Sequence, residues 1–136
     1  MKRKKRIGQA GNAMVEAAIT ISLFLTILFS LFDFGFDLWQ YQTVMARARS
    51  AIRYGATNPT DTAGMQNMFL YNQTTTGTNP LFGIAASNVT VTRSDSGTND
   101  DRLTLAITGF QFTRVTLNWA GKKNGNTVTV GIPVEN

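Results

Sequence analysis

The sequence predicts an α+β chain: a long N-terminal helix, membrane-spanning in its first half, packed through its second half on a small antiparallel sheet. Three observations predict it. Sixteen uncharged residues run from Ala17 to Phe32, and helical spacing continues beyond them as far as Ile52. After Ser87 the apolar period falls to two, in short segments separated by turn residues. At 136 residues and 43% apolar content, the chain has room for one bilayer-crossing helix and one small folded unit. The expected division is 1–11 as a leader, 12–55 as the long helix with its membrane-crossing part at about 14–39, and 56–136 as an extracytoplasmic α+β domain.

As a helix, Met14 to Trp39 would be about 39 Å long, more than the roughly 30 Å of a bilayer core. Glu16 at one end and Asp33 and Asp37 at the other are expected near the headgroups, with Trp39 and Tyr41 in the aromatic belt. Beyond the span, Leu38, Tyr41, Met45, Ala48 and Ile52 recur three or four residues apart, a stripe that faces a partner. Arg47, Arg49 and Arg53 lie mostly off the stripe, as a solvated face or a contact for acidic residues of the sheet or a neighbour. Gly55 and Asn58-Pro59 supply stop signals, so the helix should run from about Asn12 to about Tyr54.

Thr60 or Asp61 is placed to cap a short helix whose Met65, Met68 and Phe69 belong to a core. Asn72 to Asn79 is a polar loop. Four strands follow at Asn88–Arg93, Leu103–Thr108, Phe110–Leu117 and Thr127–Val134, each with alternating apolar residues. Ser94 to Asp101 is a polar turn, and Asn124-Gly125 within Lys122–Asn126 is a hairpin signal. Four short strands with such links imply one antiparallel sheet with a face on the long helix.

The formal charge of +5 sits almost wholly in Lys2, Arg3, Lys4, Lys5 and Arg6; beyond them eight basic residues face eight acidic ones. A nucleic-acid partner would need a basic footprint on the folded part, and none is present in the pattern. The chain has no cysteine, so no disulfide or thiolate chemistry is available, and no histidine, which removes most zinc sites and most general-base designs. No Gly-x-Ser-x-Gly elbow and no phosphate-cradling loop occurs. Asp95, Asp100 and Asp101, with Ser96 and Asn99, offer oxygen ligands, but the spacing does not match an EF-hand and suits a solvated turn. Asn72-Gln73-Thr74 and Asn88-Val89-Thr90 match glycosylation sequons, relevant only in a host that modifies them. The expectation is a non-enzymatic chain with no cofactor, no metal and no small-molecule substrate.

The order of the first forty residues carries the functional signal. A secretory signal peptide is cut after its apolar core, yet here the small residues Ala10-Gly11 precede the core. Cleavage between Gly11 and Asn12 would expose an α-ammonium on Asn12 and make Glu16 the fifth residue, on the same helix face. A carboxylate there lies at the positive end of its own helix and can pair with the terminal ammonium of a neighbour, favouring axial register in a low-dielectric bundle. A glycine on the leader side allows extended backbone in a protease groove.

The run Gly11-Asn12-Ala13-Met14-Val15-Glu16, the apolar helix, Asp33-Phe34-Gly35, Tyr41 and the segment from Ala46 to Gly55 resemble the TadE-like pseudopilins of tight-adherence (type IVc) pilus systems. The resemblance covers about the first 55 residues. It implies a pilin-like fold, a prepilin-type leader, processing at Gly11 and Asn12 by a membrane prepilin peptidase, and an assembly role for Glu16. Asn12 is not the Phe of type IV pilins, and Ala17 is not the aromatic that follows Glu in major Flp-type pilins, departures that favour a minor pseudopilin in pilus assembly or adhesion. Implied partners are the inner membrane, the peptidase and other pilin or pseudopilin subunits. The five cations favour a cytoplasmic N-terminus, with the C-terminal domain outside and possible transfer to an extracellular pilus. The alternatives are an uncleaved single-pass anchor carrying an envelope-binding module, in which Glu16 is incidental, and a major pilin forming the filament itself.

Overall fold

The computed structural model describes residues 9–112 and 123–134. The basic run at 2–6 and the expected strand beyond residue 112 lie outside the described residues. Helix α1 spans Gln9–Thr57, 49 residues and about 73 Å. It is a turn longer at each end than the sequence suggests. Gly55, expected to stop it, is instead buried inside it, because a Cβ there would strike the Met65 side chain and crowd Leu103. The chain leaves the helix at Asn58, which precedes Pro59 and is therefore disfavoured in the helical region. The amide N–H of Asn58 donates to the Tyr54 carbonyl at 3.0 Å, as does the Thr57 hydroxyl.

The buried face of α1 begins at Asp33 and continues through Gln40, Val44, Ala48, Ala51, Ile52 and Gly55. Ala48 and Ile52 are buried as the stripe predicts, and Met45 flanks them half-buried. Leu38 and Tyr41 are exposed; Gln40 and Val44 take their places. Hydropathy alone does not separate these faces, because apolar residues lie on both the exposed and the buried side of α1 and the buried side also takes Asp33 and Gln40.

Helix α2 (Thr62–Tyr71) is capped by Asp61, whose Oδ1 accepts the Gly64 N–H at 2.8 Å, and ends at Asn72 in the left-handed region. Its Met65, Phe69 and Leu70 are buried against α1 and the sheet. Strands β1 (Val89–Ser94), β2 (Arg102–Ile107) and β5 (Val128–Pro133) form an antiparallel sheet in the order β1-β2-β5. The register places Val89 opposite Ile107, Val91 opposite Leu105, and Leu105 opposite Val130, so one face is apolar throughout. That face closes over α1 and α2, with Ile84 and Phe110 completing the core.

Among the described residues, the expected four-stranded sheet is three strands and a separate ribbon of β3 (Gln111–Phe112) with β4 (Lys123–Asn124). Gly109, at φ +63°, turns the chain out of the sheet after β2. Asn124-Gly125 does not make a hairpin, since β4 and β5 lie in different sheets. Gly125 is required for another reason: its N–H donates to the Phe110 carbonyl at 2.8 Å, and a Cβ there would run into the Phe110 ring.

Candidate functional site

Burial divides α1 in two. From Gly11 to Phe32 every residue is exposed except Leu28, which is half-buried, and only from Asp33 does the folded head sheathe the helix. The bare part is 22 residues, about 33 Å; its uncharged run from Ala17 to Phe32 is about 24 Å, so a core of about 30 Å that leaves Glu16 outside would continue to Phe36. The helix is long and apolar enough to cross a membrane, with a mean hydropathy of 2.1 over an 18-residue window of which nothing is buried. Ile19, Leu23, Phe24, Ile27, Leu31 and Phe32 all project outward. A soluble helix with this surface would expose far more contiguous apolar area than monomeric proteins tolerate.

The polar side chains of the bare part turn back on their own helix. The hydroxyl of Thr20 donates to the Glu16 carbonyl at 2.9 Å, Thr26 to Ser22 at 2.8 Å, and Ser30 to Thr26 at 2.8 Å. Such hydroxyls need no water, which suits a surface that must sit in lipid or against another apolar helix. Glu16 is different. It is exposed and makes no ion pair among the described residues, in the second turn of the helix and four residues after Asn12.

Gly11, Asn12 and Glu16 thus lie together on the exposed first turns. The Gly11–Asn12 bond is helical, whereas a protease groove calls for extended backbone, so that turn has to open before any cut there. Gly11 helps: nothing lies within 4 Å of where its Cβ would be, and glycine loses least on leaving a helix.

At the point where the bare helix enters the head, Asp33 is buried, only 7% exposed. Among the described residues, Asp37 has one shielded carboxylate oxygen with no hydrogen-bond partner, and Arg47 has one guanidinium nitrogen in the same condition. Arg49 and Arg53 are exposed, consistent with a solvated face. Trp39 is exposed and lies against Phe36 at 5.3 Å and edge-on to Phe82 at 5.5 Å between ring centroids.

Two polar clusters in the head escaped the sequence reading. Arg93 makes a two-pronged pair with Asp101, Nε to Oδ1 at 2.9 Å and Nη2 to Oδ2 at 2.5 Å, and Gly97 N–H adds a third bond at 3.3 Å. The Arg93 bonds hold the Asp101 carboxyl below the usual carboxylate range and raise Arg93 in turn. Asp101 is thereby committed to closing the β1–β2 turn. The signal was available: Arg93 continues the inward alternation of Val89 and Val91, and a charge at an inward position needs a partner. The second cluster joins helix ends. Tyr54 Oη donates to Asp61 Oδ2 at 2.7 Å, lowering the Asp61 pKa and raising that of Tyr54.

The architecture is one long helix, half bare apolar surface able to cross a membrane and half support for a small α+β head. Residues 11–53, which comprise the bare surface and most of the sheathed helix, match the family model of TadE-like proteins, bearing out the resemblance carried by the residues themselves. That family is a structural, pilus-associated one. No curated protein and no solved structure matches the chain.

Proposed function

We propose that this protein is a minor pseudopilin of a tight-adherence pilus, a structural subunit inserted in the inner membrane through residues 14–39 with its head outside. The observation that carries the reading is the bare apolar half of α1 with a single unpartnered carboxylate, Glu16, near its start. A permanent anchor has no need of that carboxylate, and an ionisable group at the membrane margin calls for a role. In this reading, prepilin peptidase cuts between Gly11 and Asn12. Glu16 then pairs with the ammonium of a neighbouring subunit as the helix leaves lipid for a bundle of similar helices. The step is packing rather than catalysis, since the helix exchanges lipid contacts for protein ones and the head is displayed on the filament or at its tip.

Intact mass of the protein from membranes of cells with and without the peptidase tests the processing. Loss of residues 1–11 only when the peptidase is present is expected; retention in both strains sinks the reading and leaves the uncleaved anchor. Glu16→Ala is expected to fractionate with membranes as the parent does and to be strongly depleted from sheared filaments. Normal incorporation of that variant would remove the charge-pairing role.

A further inference from the structure

The turn from Pro80 to Ile84 holds out an aromatic side chain that its backbone does not favour. Gly83 and Ile84 donate N–H bonds to the Pro80 and Leu81 carbonyls at 3.1 and 3.0 Å, and both central residues have positive φ, +50° at Phe82 and +71° at Gly83. Asn-Gly and Gly-Gly fill such turns without strain, and a bulky residue in that region is an outlier that points to function. Burial does not account for it. Phe82 is 38% exposed, while Ile84 beside it is buried and fixes the turn to the core. The Phe82 ring meets Trp39 edge-on, with 76° between planes, and Trp39 is itself 54% exposed.

The depth of this pair follows from the span. A core of about 30 Å takes about 20 residues, so a span starting after Glu16 reaches Phe36. Trp39 then lies about 4.5 Å further out, within the headgroup layer where aromatic rings are favoured. Phe82, in contact with it, shares that depth. An open apolar groove lined by Leu28, Leu31, Phe32, Gly35, Phe36 and Trp39 runs continuously from the span to the pair.

We propose that the Pro80–Ile84 turn is a second membrane contact, with Phe82 and Trp39 forming one aromatic patch in the outer lipid headgroup layer and the groove taking a phospholipid acyl chain. The proposal rests on the membrane-spanning reading of α1. It gives the head a fixed orientation over the bilayer before assembly, and it assigns the strain at Phe82 to holding the ring at that level.

The absence of cysteine lets a single introduced thiol carry a fluorophore. Ala85→Cys reports on the turn, Thr92→Cys on an exposed position of β1, and Ile27→Cys on the span. The labelled full chain is reconstituted in vesicles of phosphatidylethanolamine and phosphatidylglycerol containing lipids spin-labelled at the headgroup or at the chain end. Headgroup-level quenching at position 85 but not 92 is expected, with most of it lost on adding Phe82→Ala and kept with Phe82→Tyr. The proposal falls if position 85 is quenched no more than 92, or if Phe82→Ala changes nothing. It falls too if position 85 is shielded only as protein density in the vesicle rises, which would assign the patch to a second copy. Failure of chain-end lipids to quench position 27 would overturn the span itself and this contact with it.

Discussion

Asp101 is 1% exposed, and its carboxylate is stabilised by Arg93 first and by the Gly97 N–H as well. Its pKa in the folded head is lowered, so the folded state binds fewer protons than the unfolded chain. The resulting stability is present above the ordinary carboxylate value of about 4 and is lost as pH falls through the lowered one. Asp61 shifts in the same direction through Tyr54 and the Gly64 N–H, so both clusters weaken in acid together. Tyr54 works at the other end of the scale: its raised pKa means that stability present below about 10 is lost as pH rises through the folded value. Thermal unfolding of the full chain in micelles, followed by near-ultraviolet circular dichroism, should therefore show a falling midpoint below pH 4. Asp101→Asn should lower the midpoint at pH 7, because Arg93 loses its charged partner, and should flatten the acid-side slope. An unchanged slope in that variant would mean that the pair does not govern the acid response.

At the scale of elements, α1 meets the rest of the head along a seam in which Ala48 and Ala51 are fully buried. Ala48→Leu forces extra methylenes into that seam and should destabilise the head by about 1–3 kcal/mol. Leu38→Ser, at a position the hydropathy stripe places inside and the structure places outside, should stay within about 0.5 kcal/mol. Denaturant unfolding of both variants decides which residues face the core; equal losses would restore the sequence-based stripe. The contrast also shows what was legible. The helices, the Asp61 cap, the buried Met65 and Phe69 and the positions of β1, β2 and β5 follow from period and cap chemistry, which act locally. The face of α1 did not, because exposed apolar residues alternate there with the buried polar residues Asp33 and Gln40, which hydropathy assigns to the wrong side. The Asn124-Gly125 signal failed for a similar reason: the glycine answers to the Phe110 ring, a contact that no local pattern encodes. At the candidate site, Gly11, Asn12 and Glu16 are read from residue order, and the structure adds their shared exposure on continuous helix. The Trp39–Phe82 patch joins residues far apart in sequence and was not visible from either one.

For the whole molecule, the question is whether the bare half of α1 is solvated, buried in lipid or packed on copies of itself. The head and the sheathed half of α1 share one core, from Val44 to Val128, to which no residue from Gly11 to Phe32 contributes. The two halves should therefore respond separately to substitution. Phe24 is exposed near the middle of the bare part, eight residues beyond Glu16 and nine before Asp33. A lysine there would ease exposure to water, whereas at the centre of a membrane helix it costs about 3 kcal/mol on insertion scales and more where the charge cannot reach an interface. Phe24→Lys should shift much of the protein from the carbonate-resistant membrane fraction to the extractable fraction. Protease-resistant head should persist in both, because its core does not include Phe24. Full membrane retention of the variant would argue against a lipid-spanning helix, and collapse of the head would argue against the division at Asp33. Combined with Glu16→Ala, which should leave insertion intact and impair assembly, the pair separates the two uses of one helix. Under the proposed function, the middle of the bare segment would hold the protein in lipid and its beginning would direct assembly, and these two variants test the roles one at a time.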